Sequence, residues 1–271
     1  MKGVERFVCD RNGELQNDEL IAEEPLEIRI SGETLAVTMR TPGDDLELVL
    51  GFLHGEGVIA FSGDVSSITH CAKDPNDEES KKNTMEVVLA PGVTPPIDPE
   101  SGMFAKRGTL TSSACGVCGR RAIEDLLARV EPLTTEVNVP HEVVVETVRA
   151  LKQRQPLFRA TGACHAASLT TLTGVHIATY EDVGRHNAVD KAIGHCLRVD
   201  ALPLSNHMLV VSGRCSFEIV QKAVMARIPV IAAVSAATSL AVKLAKASNI
   251  TLAGFVRDDA MTVYAGVAIA R

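Results

Sequence analysis

Apolar and polar side chains alternate from residue 26 to 39 as Leu-Glu-Ile-Arg-Ile and then Thr-Leu-Ala-Val-Thr-Met, interrupted by Ser31-Gly32-Glu33. A period of two on either side of a glycine turn predicts a β-hairpin. At 44–54 the period becomes helical: Leu46, Val49, Leu50 and Leu53 share one face behind Asp44 or Asp45 as the cap, and Gly55 and Gly57 end the run. An acidic, lysine-bearing stretch at 74–83 reads as a solvated loop, and 85–89 as a strand. Ile123, Leu126, Leu127 and Val130 fall at i, i+3, i+4 and i+7, with Glu124, Asp125 and Arg129 off the stripe, so a helix is expected there. A further helix is expected over 141–155, with Val144, Val148 and Leu151 inward and Pro156 as its stop. Beyond it, strands at 175–180, 208–211, 229–234, 250–256 and 261–265 alternate with helices at 188–197, 216–227 and 235–248.

Such alternation implies an α/β fold, a largely parallel sheet between layers of helices with ligands at the carboxyl ends of its strands. The loops that start at Glu181, Ser212 and Arg257 then share one rim. The proline-rich stretch 91–99 divides the chain into a small α+β lobe, 1–99, and a larger domain, 100–271. With 271 residues and 46% hydrophobic content, the chain has ample material for a core. A formal net charge of −7 and 3% aromatic residues offer neither a basic surface nor stacking platforms, which argues against nucleic acid. Seven scattered cysteines and a charged amino-terminal stretch point to a reducing cytoplasm. The most apolar tract, 228–244, contains Pro229 and Lys243 and is no membrane span.

The chemistry is expected at Cys115-Gly116-Val117-Cys118, followed by Gly119-Arg120-Arg121. Two thiols at or just before a helix start, beside two cations, favour thiolate over thiol, as a nucleophilic or sulfur-carrying cysteine requires. Other uses of this spacing are a thioredoxin-like dithiol, a structural zinc knuckle, inert packing, or a deaminase-type zinc site. The knuckle lacks a second Cys-x-x-Cys. The zinc site has His54-Gly55-Glu56 upstream as a matching His-x-Glu. Glu56 between glycines also reads as an ordinary loop residue. Two further stretches stand out: the small-residue turn 161–167, with Cys164 and His165, and the polar loop 181–187, with Arg185, His186 and Asn187. Arg185, Arg214 and Arg257 suit a phosphorylated ligand by bidentate hydrogen bonding.

The segments Ser113-Ala114-Cys115-Gly116-Val117-Cys118-Gly119, Thr161-Gly162-Ala163-Cys164-His165-Ala166, the block 181–191, Ser212-Gly213-Arg214 and Gly254-Phe255-Val256-Arg257 resemble the formate dehydrogenase accessory sulfurtransferase family, FdhD. The resemblance implies a cytoplasmic dimer with a cytidine-deaminase-like three-layer α/β/α core. It implies a sulfur carrier that takes sulfur from a cysteine desulfurase and passes it, as a persulfide, to the molybdenum bis-molybdopterin guanine dinucleotide required by formate dehydrogenase. No resident metal is implied. The persulfide would sit on Cys115, with Cys118 assisting. The cofactor would lie on Phe255, Val256, Arg257, Asp258, Asp259 and Ala260, with His165, Arg185, Asn187 and Arg214. This chain departs from the family pattern at Asp258-Asp259-Ala260, where a glycine and a basic residue are expected, and at Tyr180 in place of an arginine. A zinc-dependent hydrolase using His54, Glu56, Cys115 and Cys118, with Ala114 where a proline is usual, is the alternative. A cofactor-binding chaperone without chemistry is a third reading.

Overall fold

The computed structural model describes residues 2–7, 15–71, 81–94, 123–124, 126–128, 130–134, 137–258, 260–266 and 269–270. Cys115, Cys118, Arg120, Arg121, Asp259 and residues 95–99 of the proline-rich stretch lie outside that set. The expected hairpin is β3 (Glu24–Ile30) and β4 (Glu33–Arg40), joined through Ser31 and Gly32 at φ 53° and 80°. Positive φ at both turn positions matches the twist of the paired strands. Ahead of it, β1 (Lys2–Phe7) and β2 (Leu15–Leu20) form an antiparallel pair that no alternation announces. With β5 (Val65–His70) and β6 (Thr84–Leu89) the hairpin builds a mixed sheet of order β4-β3-β6-β5.

Helix α1 (Asp45–Gly55) lies where the stripe predicts, but buries Leu48, Val49, Leu50 and Leu53, while Leu46 is 36% exposed. The helix packs against both the first sheet and a later helix, so its buried face is wider and turned from the one the stripe defines. Asp44 makes no side-chain cap bond and sits at φ 55°, and Asp45 instead accepts from the Nε of buried Arg40 at 2.9 Å. A buried guanidinium left without a carboxylate costs more than a missing cap.

Residues 123–124 and 126–128 turn helically, with Ala128 N–H donating to Glu124 O and Val130 N–H to Leu126 O, and Leu126 lies in the core as its stripe requires. A short parallel pair, β7 (Val139–Pro140) with β14 (Ile269–Ala270), flanks α2 (His141–Gln153). Pro156 ends α2 only indirectly: it opens α3 (Pro156–Thr161) as its first residue, where a missing N–H costs nothing. Then follow β8 (His165–Thr171), β9 (His176–Asp182), α4 (Arg185–Arg198), β10 (His207–Val211), α5 (Phe217–Met225), β11 (Val230–Ala233), α6 (Ser239–Ala247), β12 (Thr251–Gly254) and β13 (Thr262–Ala265).

The second sheet has the order β13-β12-β11-β10-β8-β9 and is mixed, a correction to the largely parallel sheet expected. Only β10-β11-β12 pair in parallel; β12/β13, β10/β8 and β8/β9 are antiparallel. The cause is β8, whose small and hydroxylated residues are buried on both faces and so show no period of two. His165 therefore starts a strand instead of lying in a turn. Helix α4 begins at Arg185, so Glu181 and Asp182 belong to β9; α6 begins at Ser239, with Thr238 Oγ1 accepting from Ala241 N–H. Successive β10 residues serve two cores: Leu209 and Val211 join α1, α4, α5 and α6, whereas Met208 and Val210 join Val144, Val148 and Leu151 of α2. Helices thus cover both faces. The first of these cores is continuous across both halves of the chain, carrying Leu26 and Ile28 of β3 and Leu53 of α1 together with Val189 and Ile193 of α4.

Where α1 crosses α4 the backbones almost touch. A Cβ at Gly51 would stand 1.9 Å from the carbonyl oxygen of Asp190, and one at Gly194 1.9 Å from that of Glu47. Only glycine permits that approach.

Candidate functional site

Because β8 runs against β10 and β9 against β8, the carboxyl ends of β9, β10, β11 and β12 lie on the same edge as the start of β8. The shared rim expected for the loops at 181, 212 and 257 is therefore present, and β8 adds His165, registered opposite Asp182. Gly213 lies under His165: a Cβ there would sit 3.1 Å from the ring Nδ1 and 3.8 Å from Arg185 Cβ. Burial, then Arg185 and Arg214, hold the His165 imidazole neutral by lowering its pKa. Arg185 Nε is buried and lacks a hydrogen-bond partner among the described residues, and neither Arg185 nor Arg214 makes an ion pair there. Two guanidiniums that form no ion pair among the described residues suit an anion from outside.

Most of the block 181–191 is committed to the fold. Asp182 Oδ2 meets Lys191 Nζ at 2.8 Å and accepts from Thr41 N–H at 3.1 Å, while Oδ1 accepts from Gly184 N–H at 2.8 Å. Lys191 Nζ also donates to Thr41 O, and Asp190 Oδ1 meets Lys222 Nζ of α5 at 2.6 Å. Asn187 Nδ2 donates to Met39 O and Asp182 Oδ1, and its Oδ1 accepts from Thr38 Oγ1. Its amide faces inward, so Asn187 positions the rim and leaves Arg185 and His186 as the outward groups of the block. His186 Nε2 lies 3.0 Å from Ser216 Oγ and 3.7 Å from Glu218 Oε2, at the start of α5. Composition flags the block but not this partnership, which joins residues from separate elements.

Four of the seven cysteines fall within the described residues. Burial pushes Cys164 up to about 12, helped by the Glu181 carboxylate that accepts from its Sγ at 3.2 Å. Burial also pushes Cys215 up to about 12 and Cys196 up to about 11, and raises Cys71. None of the four is a ready thiolate. Glu181 also accepts from the N–H groups of Leu157 and Phe158, both at 2.8 Å, and so caps α3.

The rim continues through small-residue contacts. Thr238 N–H donates to Cys215 O and Cys215 N–H to Ala236 O, binding the loop after β11 to the loop after β10. Phe255 N–H then donates to Ser235 O, and a Cβ at Gly254 would meet that oxygen at 2.9 Å. Phe255 takes φ 51°, a strained conformation for an aromatic residue, and is 42% exposed. Val256 is buried; Arg257 and Ala260 close a turn by Arg257 N–H to Ala260 O; Asp258 accepts from Arg149 of α2 at 3.1 Å. Arg149 thus sets a second cation, beside Arg257, at this segment. Tyr180, the other departure, lies away from these groups and hydrogen-bonds His195 Nδ1 of α4 at 3.0 Å.

His54 ends α1 as a buried imidazole whose pKa is lowered by burial and, against the effect of nearby backbone groups, by Lys222. Glu56 is its half-buried cap residue. Zinc at His54 would bring a dication next to an ammonium that already serves Asp190, a poor electrostatic setting. Among the described residues no three His, Cys, Asp or Glu side chains cluster as metal ligands, and no helix is long and apolar enough to cross a membrane.

Residues 21–269 match the family model described as the FdhD/NarQ family. The chain is 49% identical over 268 residues to a sulfur carrier protein FdhD from Anaeromyxobacter dehalogenans, covering 97% of this chain and 91% of that protein. It is 47% identical over 252 residues to the protein of that name from Streptomyces coelicolor, covering 92% and 88%. A crystal structure of a candidate formate dehydrogenase accessory protein from Desulfotalea psychrophila superposes with a TM-score of 0.74 at 23% identity, covering 98% of this chain and 96% of that one. That likeness is one of fold.

Proposed function

Since the chain belongs to the FdhD/NarQ family, we propose that it is a sulfur carrier for formate dehydrogenase, loading its molybdenum cofactor with sulfur before insertion. Cys115, as thiolate, attacks the outer sulfur of a persulfide on a cysteine desulfurase. A Cys115 persulfide forms and the donor cysteine leaves as thiolate. Cys118 assists. The substrate, a bis-molybdopterin guanine dinucleotide, rests on the rim, with its phosphates on Arg185 and Arg214 and one guanine against the exposed ring of Phe255, in the segment Phe255–Ala260. His165 lines the site and Asn187 positions it. The protein works as a cytoplasmic homodimer, and its helix-flanked second sheet is a cytidine-deaminase-like core.

The observation that carries the reading is the state of the cysteines: burial protonates all four described ones. Thiolate chemistry therefore falls to the rest, among which Cys115 is the one for which the sequence pattern predicts a helix start, with Arg120 and Arg121 following in the chain. After incubation with a persulfide donor, intact mass should rise by one sulfur atom, about 32 Da, lost on reduction. Peptide mapping should place it on Cys115; equal labelling of Cys164 or Cys215 sinks the assignment.

For the rim, calorimetry with guanosine diphosphate should show a weakening of roughly tenfold to a hundredfold in Arg185→Ala and in Arg214→Ala, as expected for losing one charge-assisted contact. Unchanged affinity in both places the nucleotide elsewhere.

A further inference from the structure

Resting on the rim as the site of the cofactor phosphates, we infer that His186, backed by Ser216 and Glu218, is a ligand-binding group beside Arg185, on the rim that also carries Arg214, and becomes protonated as the phosphate binds. Ser216 is buried and precedes α5, and the Glu218 carboxylate, two residues on, lies 3.7 Å from His186 Nε2. An ionised carboxylate only accepts, so the nitrogen that faces it carries the hydrogen, and His186 Nε2 is the donor in its 3.0 Å contact with Ser216 Oγ. Nδ1 then carries the lone pair. Among the described residues it has no hydrogen bond, and it is where a proton adds.

The surroundings set when it adds. The charged and titratable groups facing His186 are Arg185 from α4, Glu218 and Lys222 from α5, and His165 from β8. Burial and Arg185 hold the free imidazole neutral, down to about 4. Lys222 is already paired with Asp190. Glu218, although burial raises it, is lowered overall by the Ser216 hydroxyl, its own backbone N–H and the positive charge of Arg185, so it stays ionised. A phosphate on the rim offsets the repulsion from Arg185 and sets a negative charge beside the buried imidazole, and Glu218, 3.7 Å from Nε2, stabilises the imidazolium. Protonated Nδ1–H then donates to a phosphate oxygen. The pKa is higher in the bound state, so binding takes up a proton and tightens as pH falls through the window between the free and bound values.

The test is calorimetric titration of the full chain with guanosine diphosphate, in two buffers of different ionisation heat, and with sulfate, whose charge is constant over the range used. Between about pH 7.5 and 5.5, sulfate affinity should rise by up to about tenfold per unit, the slope for one proton, and the paired buffers should report proton uptake. His186→Asn should lose both the slope and the uptake, and Glu218→Gln, altering a half-exposed side chain, should reduce the uptake without touching the imidazole. Binding without proton uptake, or full uptake in His186→Asn, overturns the inference and leaves the rim as a phosphate site. Failure of both anions to bind at any pH overturns the phosphate site itself.

Discussion

Alanine at Gly194 should destabilise the protein by at least about 3 kcal/mol, at or beyond the upper end of ordinary overpacking, because the new methyl meets a backbone instead of a movable side chain. Its Cβ would lie 1.9 Å from the carbonyl oxygen of Glu47 and close to the backbone of Gly51, so α1 and α4 must separate. Separation opens the core between Leu53 and Ile193 and strains the buried pairs that α4 makes, Lys191 to Asp182 and Asp190 to Lys222. Gly51→Ala meets the Asp190 carbonyl in the same way and should behave alike. Urea unfolding followed by circular dichroism gives the value; a loss below about 1 kcal/mol for either variant shows that the helices yield. Loss of soluble protein agrees with the expectation. The start of α4 carries Arg185 and His186, so a soluble Gly194→Ala protein should also bind guanosine diphosphate more weakly.

Cys115→Ala should abolish maturation of formate dehydrogenase in cells lacking the native protein, a loss of about a thousandfold or more when a nucleophile is removed. The comparison that gives this result its meaning is His54. A catalytic zinc would need His54 with Cys115 and Cys118 as ligands and Glu56 as proton carrier, and would quench both thiols as nucleophiles. A sulfur carrier needs Cys115 free, and leaves His54 as a core imidazole between α1 and α5. Truncating a buried ring leaves a cavity, so glutamine is the fair substitution. His54→Gln should retain maturation, and protein purified without chelators should contain no stoichiometric zinc. One zinc per chain, lost in both variants, would establish the hydrolase instead; a working Cys115→Ala would leave a chaperone without sulfur chemistry.

Much of this was legible in the chain. The hairpin around Ser31-Gly32, α1, α2, α5 and α6 follow from periods of two and of 3.6, because each buries one face, whereas β10, β11 and β12, buried on both faces, are legible as short apolar runs between turn signals. The rim was legible for the same reason: once strands and helices alternate, the carboxyl ends of parallel strands must gather their loops on one edge. What resisted was β8, buried on both faces but built of small and hydroxylated residues that give neither a period nor an apolar run, and with it the mixed character of the sheet.

By composition and order alone, the sequence determined the α/β class, the placing of Arg185, Arg214 and Phe255 at strand ends, and the unusual polarity of residues 181–191. Which of those polar groups face a ligand was decided only by tertiary structure. Asp182, Asn187, Asp190 and Lys191 read, in sequence, like their neighbours Arg185 and His186. They turn inward because Thr41, Met39 and Lys222, from distant parts of the chain, supply the partners that make burial tolerable. A charge or amide can leave water only where such a partner waits, and that depends on how remote segments pack, which no local pattern encodes.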